Sequence, residues 1–143
     1  LINSLTKKQK DFINSQRIGR LATVDENGKP LVLPVCFALR GNIIYTPIDK
    51  KPKKVTAYNL RRLKNIYSNP NVSIVFDRYS EDWTRLYYIM VEGEASVIQE
   101  GEEYKHSLNS LVQKYDQYRE MGLLSLGLPV IKIEPKKIIC WGN

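Results

Sequence analysis

The chain has 143 residues, 43% hydrophobic and 26% charged, which fits one globular domain with a buried core and leaves little room for a second. No apolar run approaches the ~20 residues of a membrane span, and residues 1–10 lack the basic-then-apolar order of a signal peptide, so no membrane role is expected. Twenty-two Lys and Arg against 15 Asp and Glu give a net charge of +7. The chain opens on Leu1, not Met, which points to residues ahead of it.

In chain order, Thr6 followed by KKQKDFI predicts a short capped helix with Phe12 and Ile13 on its apolar side. Residues 18–25 (IGRLATVD) predict a strand, and Asn27-Gly28 between two apolar runs predicts a hairpin, since both residue types tolerate positive φ. Residues 31–39 (LVLPVCFAL) are apolar on both alternating faces. That pattern predicts one strand covered on both sides, by the barrel interior on one and by a partner subunit or flat aromatic ligand on the other. Pro34 cannot donate to a ladder and marks an edge, a bulge or a place where a ligand approaches.

A third strand is expected over residues 43–46, ended by Pro47, and a helix from Lys53 to Tyr67. Two more strands are expected over residues 72–76 and 86–98, separated by the polar, aromatic loop from Asp77 to Arg85. A helix over residues 100–118 carries Tyr104, Leu108, Leu111 and Tyr115 on one side. The last strand, residues 130–133 and 138–141, is expected to be interrupted by Glu134-Pro135-Lys136-Lys137. These six short strands with a few helices predict an all-β barrel or an α+β domain. No GxGxxG or Walker-type loop is present, which argues against a Rossmann or P-loop fold.

The charge excess is local. Lys50, Lys51, Lys53, Lys54, Arg61, Arg62 and Lys64 have no acid among them, and none follows until Asp77. They equal the whole net charge, because the other cations balance the acids. Cations packed so densely repel one another unless an anion or solvent compensates. Tyr45 and Thr46 precede them at a strand end, so a hydroxyl, turn amides and point cations could converge on a phosphate ester. That donor set suits a nucleotide, a phosphorylated cofactor or nucleic acid; a solvated helix start is the bland reading. The confinement of the charge to one segment and the scatter of the nine tyrosines argue against nucleic acid.

Hydrolytic chemistry is poorly supplied. His106 is the only histidine and falls in a Glu-rich helical stretch, and nothing assembles a nucleophile, base and orienter, so no catalytic side chain is assigned. Cys36 and Cys140 form no C-x-x-C, so buried free thiols in a reducing cytoplasm are expected, and no metal site.

Residues 20–39 (RLATVDENGKPLVLPVCFAL), 42–53 (NIIYTPIDKKPK) and 60–79 (LRRLKNIYSNPNVSIVFDRY) resemble the pyridoxamine 5′-phosphate oxidase-like superfamily, the flavin- and deazaflavin-dependent split β-barrel. The similarity runs from about Arg17 to Trp141. The Glu81-Asp82-Trp83 segment is most similar to the branch described as coenzyme F420-dependent oxidoreductases. The resemblance implies a six-stranded split barrel, a homodimer, and a cofactor site between subunits. It implies that Leu33, Pro34, Val35 and Cys36 lie along the tricyclic ring, and that Tyr45 and Thr46 sit near the ribityl chain and phosphate. It further implies that Lys51 and Lys53, helped by Lys50, hold the phosphate, with Tyr79, Trp83 and Trp141 on the substrate side. Vitamin B6 oxidases carry Arg- and His-containing signatures near the C-terminus; this chain ends IICWGN, so that activity is not expected.

The activity implied by the resemblance is hydride transfer between coenzyme F420 (8-hydroxy-5-deazaflavin) and a small planar substrate. FMN in the same fold and a non-catalytic carrier of cofactor or haem are the alternatives. The F420 tail adds lactyl and glutamate carboxylates to its phosphate, which suits seven unbalanced cations better than one phosphate does.

Overall fold

A computed structural model describes residues 4–48 and 57–142. The first helix, α1 (Lys7–Ser15), forms where its cap predicts. Thr6 Oγ1 accepts from the Gln9 amide at 3.1 Å, and Gln9 Oε1 accepts from the Thr6 amide at 2.8 Å. Two orphan amides are thereby satisfied, and Ile13 is driven into the core.

Strands β1 (Gly19–Val24) and β2 (Pro30–Val35) form the expected hairpin. Only Gly28 of its loop takes a left-handed conformation, at φ 80°. The loop is organised by Asp25, whose Oδ1 accepts from the amides of Asn27 and Lys29 at 2.9 and 2.8 Å, so Asn27 need not leave the ordinary region.

The main correction concerns residues 31–39. They form two strands, β2 and β3 (Ala38–Arg40), separated by Cys36 and Phe37. With β4 (Ile43–Pro47), β5 (Asn71–Arg78), β6 (Tyr87–Ile98) and β7 (Val130–Gly142), the sheet has seven strands among the described residues instead of six, in the order β2-β1-β5-β6-β7-β4-β3. The two edge strands are therefore joined by a two-residue corner. A sheet whose opposite edges are tied so tightly must curl, and the result is the half-barrel of a split-barrel fold.

β7 is also continuous, where an interruption was expected. Its register against β6 slips between Glu92 and Gly93, so the extra residue is absorbed in a bulge beside Pro135. Gly93 is required there, because a Cβ would lie 2.6 Å from the Glu134 carbonyl oxygen.

The barrel interior holds Leu21, Ile44, Ile74, Phe76, Ile89, Ile131 and Ile133. Helix α2 (Ala57–Ser68) packs on β1 and β6. From it, Asn65 Nδ2 donates to the buried Thr23 Oγ1 at 3.0 Å. A second cluster (Tyr45, Tyr104, Leu108, Leu111, Val130) lies under α3 (Glu102–Lys114).

The helix expected over residues 100–118 breaks at Tyr115 (φ −123°, ψ 113°), and α4 (Asp116–Glu120) follows. The break delivers the Tyr115 hydroxyl to the β2–β3 corner. It accepts from the Phe37 amide at 3.1 Å and donates to the Arg17 carbonyl at 2.8 Å. Phe37 is fully buried at a point where no ladder serves its amide, so the hydroxyl replaces a missing strand partner.

Both cysteines are free, but Cys36 is only half-buried and Cys140 is exposed, because the corner and the end of β7 lie at the rim. No helix among the described residues is long and apolar enough to cross a membrane.

Removing the corner bond should be measurable. Tyr115→Phe leaves a buried amide unpaired and is expected to cost about 1–3 kcal/mol in urea unfolding with the slope unchanged. A midpoint equal to wild type would remove the bond from its place in the fold.

Candidate functional site

The cofactor-edge residues expected from the sequence divide between faces. In register with β1, Leu33 and Val35 stand opposite Leu21 and Gly19 and turn inward. Pro34 stands opposite Arg20 on the outer face. β2 pairs only with β1 among the described residues, so Pro34 occupies an edge strand, one of the places its missing N–H allows. Cys36 sits at the corner against the α3 cluster.

Tyr45 and Thr46 are both buried, and their side chains leave β4 on opposite faces. Tyr45 packs under α3, where its hydroxyl donates to Glu103 Oε2 at 2.6 Å. Burial first, and then the Glu103 carboxylate, push its pKa above the ordinary tyrosine value. Glu103 also takes Lys132 Nζ at 2.8 Å; that bond, and then the Tyr45 hydroxyl, hold the carboxyl below its usual range. Tyr45 is thus committed to a network joining α3 to β7. Thr46 lies opposite Ile131 on the interior side, fully buried, and its Oγ1 has no hydrogen-bond partner among the described residues. Lys50, Lys51 and Lys53 lie outside the described residues.

Cross-strand rows on the outer face of the sheet run Pro34, Arg20, Val75, Met90, Ile139 and Val32, Ala22, Ser73, Glu92, Lys137. Val32 is 61% exposed. Arg20 is ion-paired with Asp77 across β1 and β5. Two open clefts cut this face. One, of about 440 Å³, lies at the bulged end, lined by Ala22, Val24, Pro30, Ser73, Glu92 and Lys137 among others. The other, of about 420 Å³, lies at the opposite end, lined by Asp77, Arg78, Tyr79, Leu86, Tyr88 and Trp141 among others.

Of the three aromatics expected on the substrate side, the second cleft brings together Tyr79 and Trp141. Trp83 stands apart on a 3-10 turn (Trp83–Arg85), outside the lining and 70% exposed. Nothing in the sequence singles out Tyr88. Its position opposite Trp141 depends on the β6–β7 register, and alternation within β6 alone makes it one of several outward residues.

A family model, described as pyridoxamine 5′-phosphate oxidase, matches residues 5–142. The chain belongs to that family. By sequence, it is 26% identical over 143 residues to the 5a,11a-dehydrotetracycline/5a,11a-dehydrooxytetracycline reductase of Streptomyces rimosus, covering 96% of this chain and 82% of the reductase. The fold is shared with a conserved hypothetical protein of Mycobacterium tuberculosis, at TM-score 0.71 and 23% identity over 99% of this chain and 88% of that one. It is also shared with HutZ, the heme storage protein of Vibrio cholerae, at TM-score 0.74 and 19% identity over 97% and 94%. The family rests on the family-model match, and the two solved structures, one of them a heme storage protein, show the shared fold.

The β2–β3 corner of this family member also holds a buried cation. Lys114 Nζ has no hydrogen-bond acceptor among the described residues and stands 3.6 Å from the Phe37 ring centroid. Burial, and then the nearby Arg17 cation, lower its pKa to about 8, while the aromatic face returns part of the cost of the charge. Neither Lys114 nor Phe37 stands out in the sequence, where Lys114 reads as a helix-end lysine.

Between about 8 and the ordinary lysine value, the unfolded chain holds a proton that the folded chain has released, so stability rises with pH across that window. Below it, the full cost of the buried charge is present. Lys114→Met should therefore remove the rise, seen as a difference between wild-type and variant urea midpoints from about pH 7 to about pH 10. Parallel pH profiles would mean that the amine does not titrate in this window.

Proposed function

We propose that the chain binds a flavin-type cofactor between two copies of itself and transfers hydride between coenzyme F420 and a small planar substrate. The observation that carries this reading is the acid-free basic stretch from Lys50 to Lys64, of which Arg62 is buried on the Pro47 carbonyl, attached to a strand whose last buried hydroxyl, Thr46 Oγ1, lacks a partner among the described residues. Buried polar atoms are rarely left unpaired without a reason, and an ester phosphate or ribityl hydroxyl would supply one. The donor set fits such a group: one hydroxyl, point cations and the start of a helix.

When bound, the cofactor supplies the hydride chemistry. Lys51 and Lys53, with Lys50, neutralise its phosphate. The backbone of Leu33, Pro34, Val35 and Cys36 borders the ring, and Tyr79 and Trp141 contribute to the substrate side. These residues bind, orient and exclude water; no side chain acts as nucleophile. The outer face supports a homodimer, because exposed Val32 and half-buried Val75, Met90 and Ile139 together favour association. The free thiols favour a cytoplasmic location.

The named S. rimosus reductase supports reduction of a polycyclic substrate. β7 carries neither Arg nor His, so pyridoxamine-phosphate oxidation is disfavoured. FMN would use the same phosphate grip and is the nearest alternative. The haem-carrier reading draws on the HutZ likeness, but the only histidine, His106, projects from α3 into solvent beside Glu102.

Titration with F420 and with FMN, separately, tests the reading. The Lys51→Ala/Lys53→Ala variant loses two charge-assisted contacts and should bind roughly a hundredfold more weakly. Wild-type binding should also weaken as salt rises, since a partly exposed patch is screened. Unchanged affinity in the double variant would sink the phosphate site. Thr46→Val gives an independent check, because it should preserve the fold and weaken the same cofactor by about tenfold.

A further inference from the structure

We infer that Trp141, braced by the stacked Tyr88 ring, holds a planar aromatic ligand against its indole in the cleft both residues line. The two residues are direct cross-strand partners on β6 and β7, and both project from the outer face. Their rings are nearly parallel, at 12°, with centroids 6.3 Å apart. At that spacing and angle the Tyr88 ring stacks, offset, behind the indole and braces it. Trp141 remains 52% exposed, which leaves an indole face bare, and Tyr79 joins the same cleft with 65% of its surface open.

The surroundings of the indole narrow the ligand. Asp77 is the carboxylate in the lining, and Arg20 is paired with it. Arg78 also lines the cleft, but its Nε bond to the Arg85 carbonyl at 3.0 Å and its place over the Phe12 and Tyr87 rings commit it within the chain. The charges here are engaged inside the protein, and the electron-rich indole face favours an electron-poor planar molecule. The volume of about 420 Å³ lies inside the range of small-molecule sites, roughly 300–1,000 Å³. Calling this ligand the substrate rests on the hydride-transfer reading; its binding to the indole does not.

The probe is 2-naphthoate, with decahydro-2-naphthoate as an equally charged, non-planar control, measured by calorimetry on the full chain without cofactor. Naphthoate should bind at least about tenfold more tightly than its saturated partner, Tyr88→Ala should weaken it by about tenfold, and Tyr88→Phe should hold within about twofold. Trp83→Phe leaves Trp141 as the single indole, whose N–H resonance should move on adding naphthoate. Equal binding of the two acids, or an unmoved resonance because a second copy of the chain covers the indole, would overturn the inference. The outcomes separate from those for the cofactor. Failure of both F420 and FMN to bind, with the indole still responding, would remove the oxidoreductase reading and leave the aromatic site standing.

Discussion

The fold depends on how one apolar run, residues 31–39, serves both edges of the same sheet. Strands β2 and β3 lie at opposite ends of the strand order, yet only Cys36 and Phe37 separate them. Such a connection is possible only if the sheet curls, and it strands a backbone amide in the core at the turning point. The Tyr115 hydroxyl meets that amide and also holds the Arg17 carbonyl, so one side chain ties α1's exit, the corner and the end of α3. An unpaired amide there would cost more than a typical hydrogen bond contributes, so the bond favours closure.

Charge is distributed in two ways around this frame. On the α3 side, Tyr45, Glu103 and Lys132 satisfy one another, with Glu134 nearby at 3.8 Å from Lys132. That network consumes a tyrosine which the strand-end motif, taken alone, reserves for a ligand. At the corner, Lys114 is left over an aromatic ring with no acceptor among the described residues, a cation tolerated instead of matched. The outer sheet face has its own pair, Arg20 with Asp77, set among apolar rows. A surface of this kind is suited to being covered, and its two clefts lie at either end of it.

Much of the fold is legible locally. The capping box at Thr6, the Asn27-Gly28 hairpin and the apolar side of α3 each depend on residues a few positions apart. The departures from expectation share a cause. The run 31–39 carries no breaker at Cys36-Phe37, so nothing local divides it; the bulge that keeps β7 continuous resides partly in Gly93 on another strand; and the break at Tyr115 serves a carbonyl and an amide far away in the chain. The site is legible only in part for the same reason. Composition locates the basic stretch, and alternation is enough to show that Tyr45 and Thr46 diverge, but Tyr88 beside Trp141 exists only through register.

By itself, the sequence determined most element types and the place where positive charge concentrates, because these follow from neighbouring residues and from composition, and its motifs carried the resemblance to the family. Tertiary structure alone decided that two edges share one run, that Thr46 Oγ1 has no partner among the described residues while Tyr45 is engaged, and that Tyr88 stacks on Trp141. Those outcomes rest on contacts between distant segments, whose free energies depend on closure of the sheet, and no short window of residues contains them.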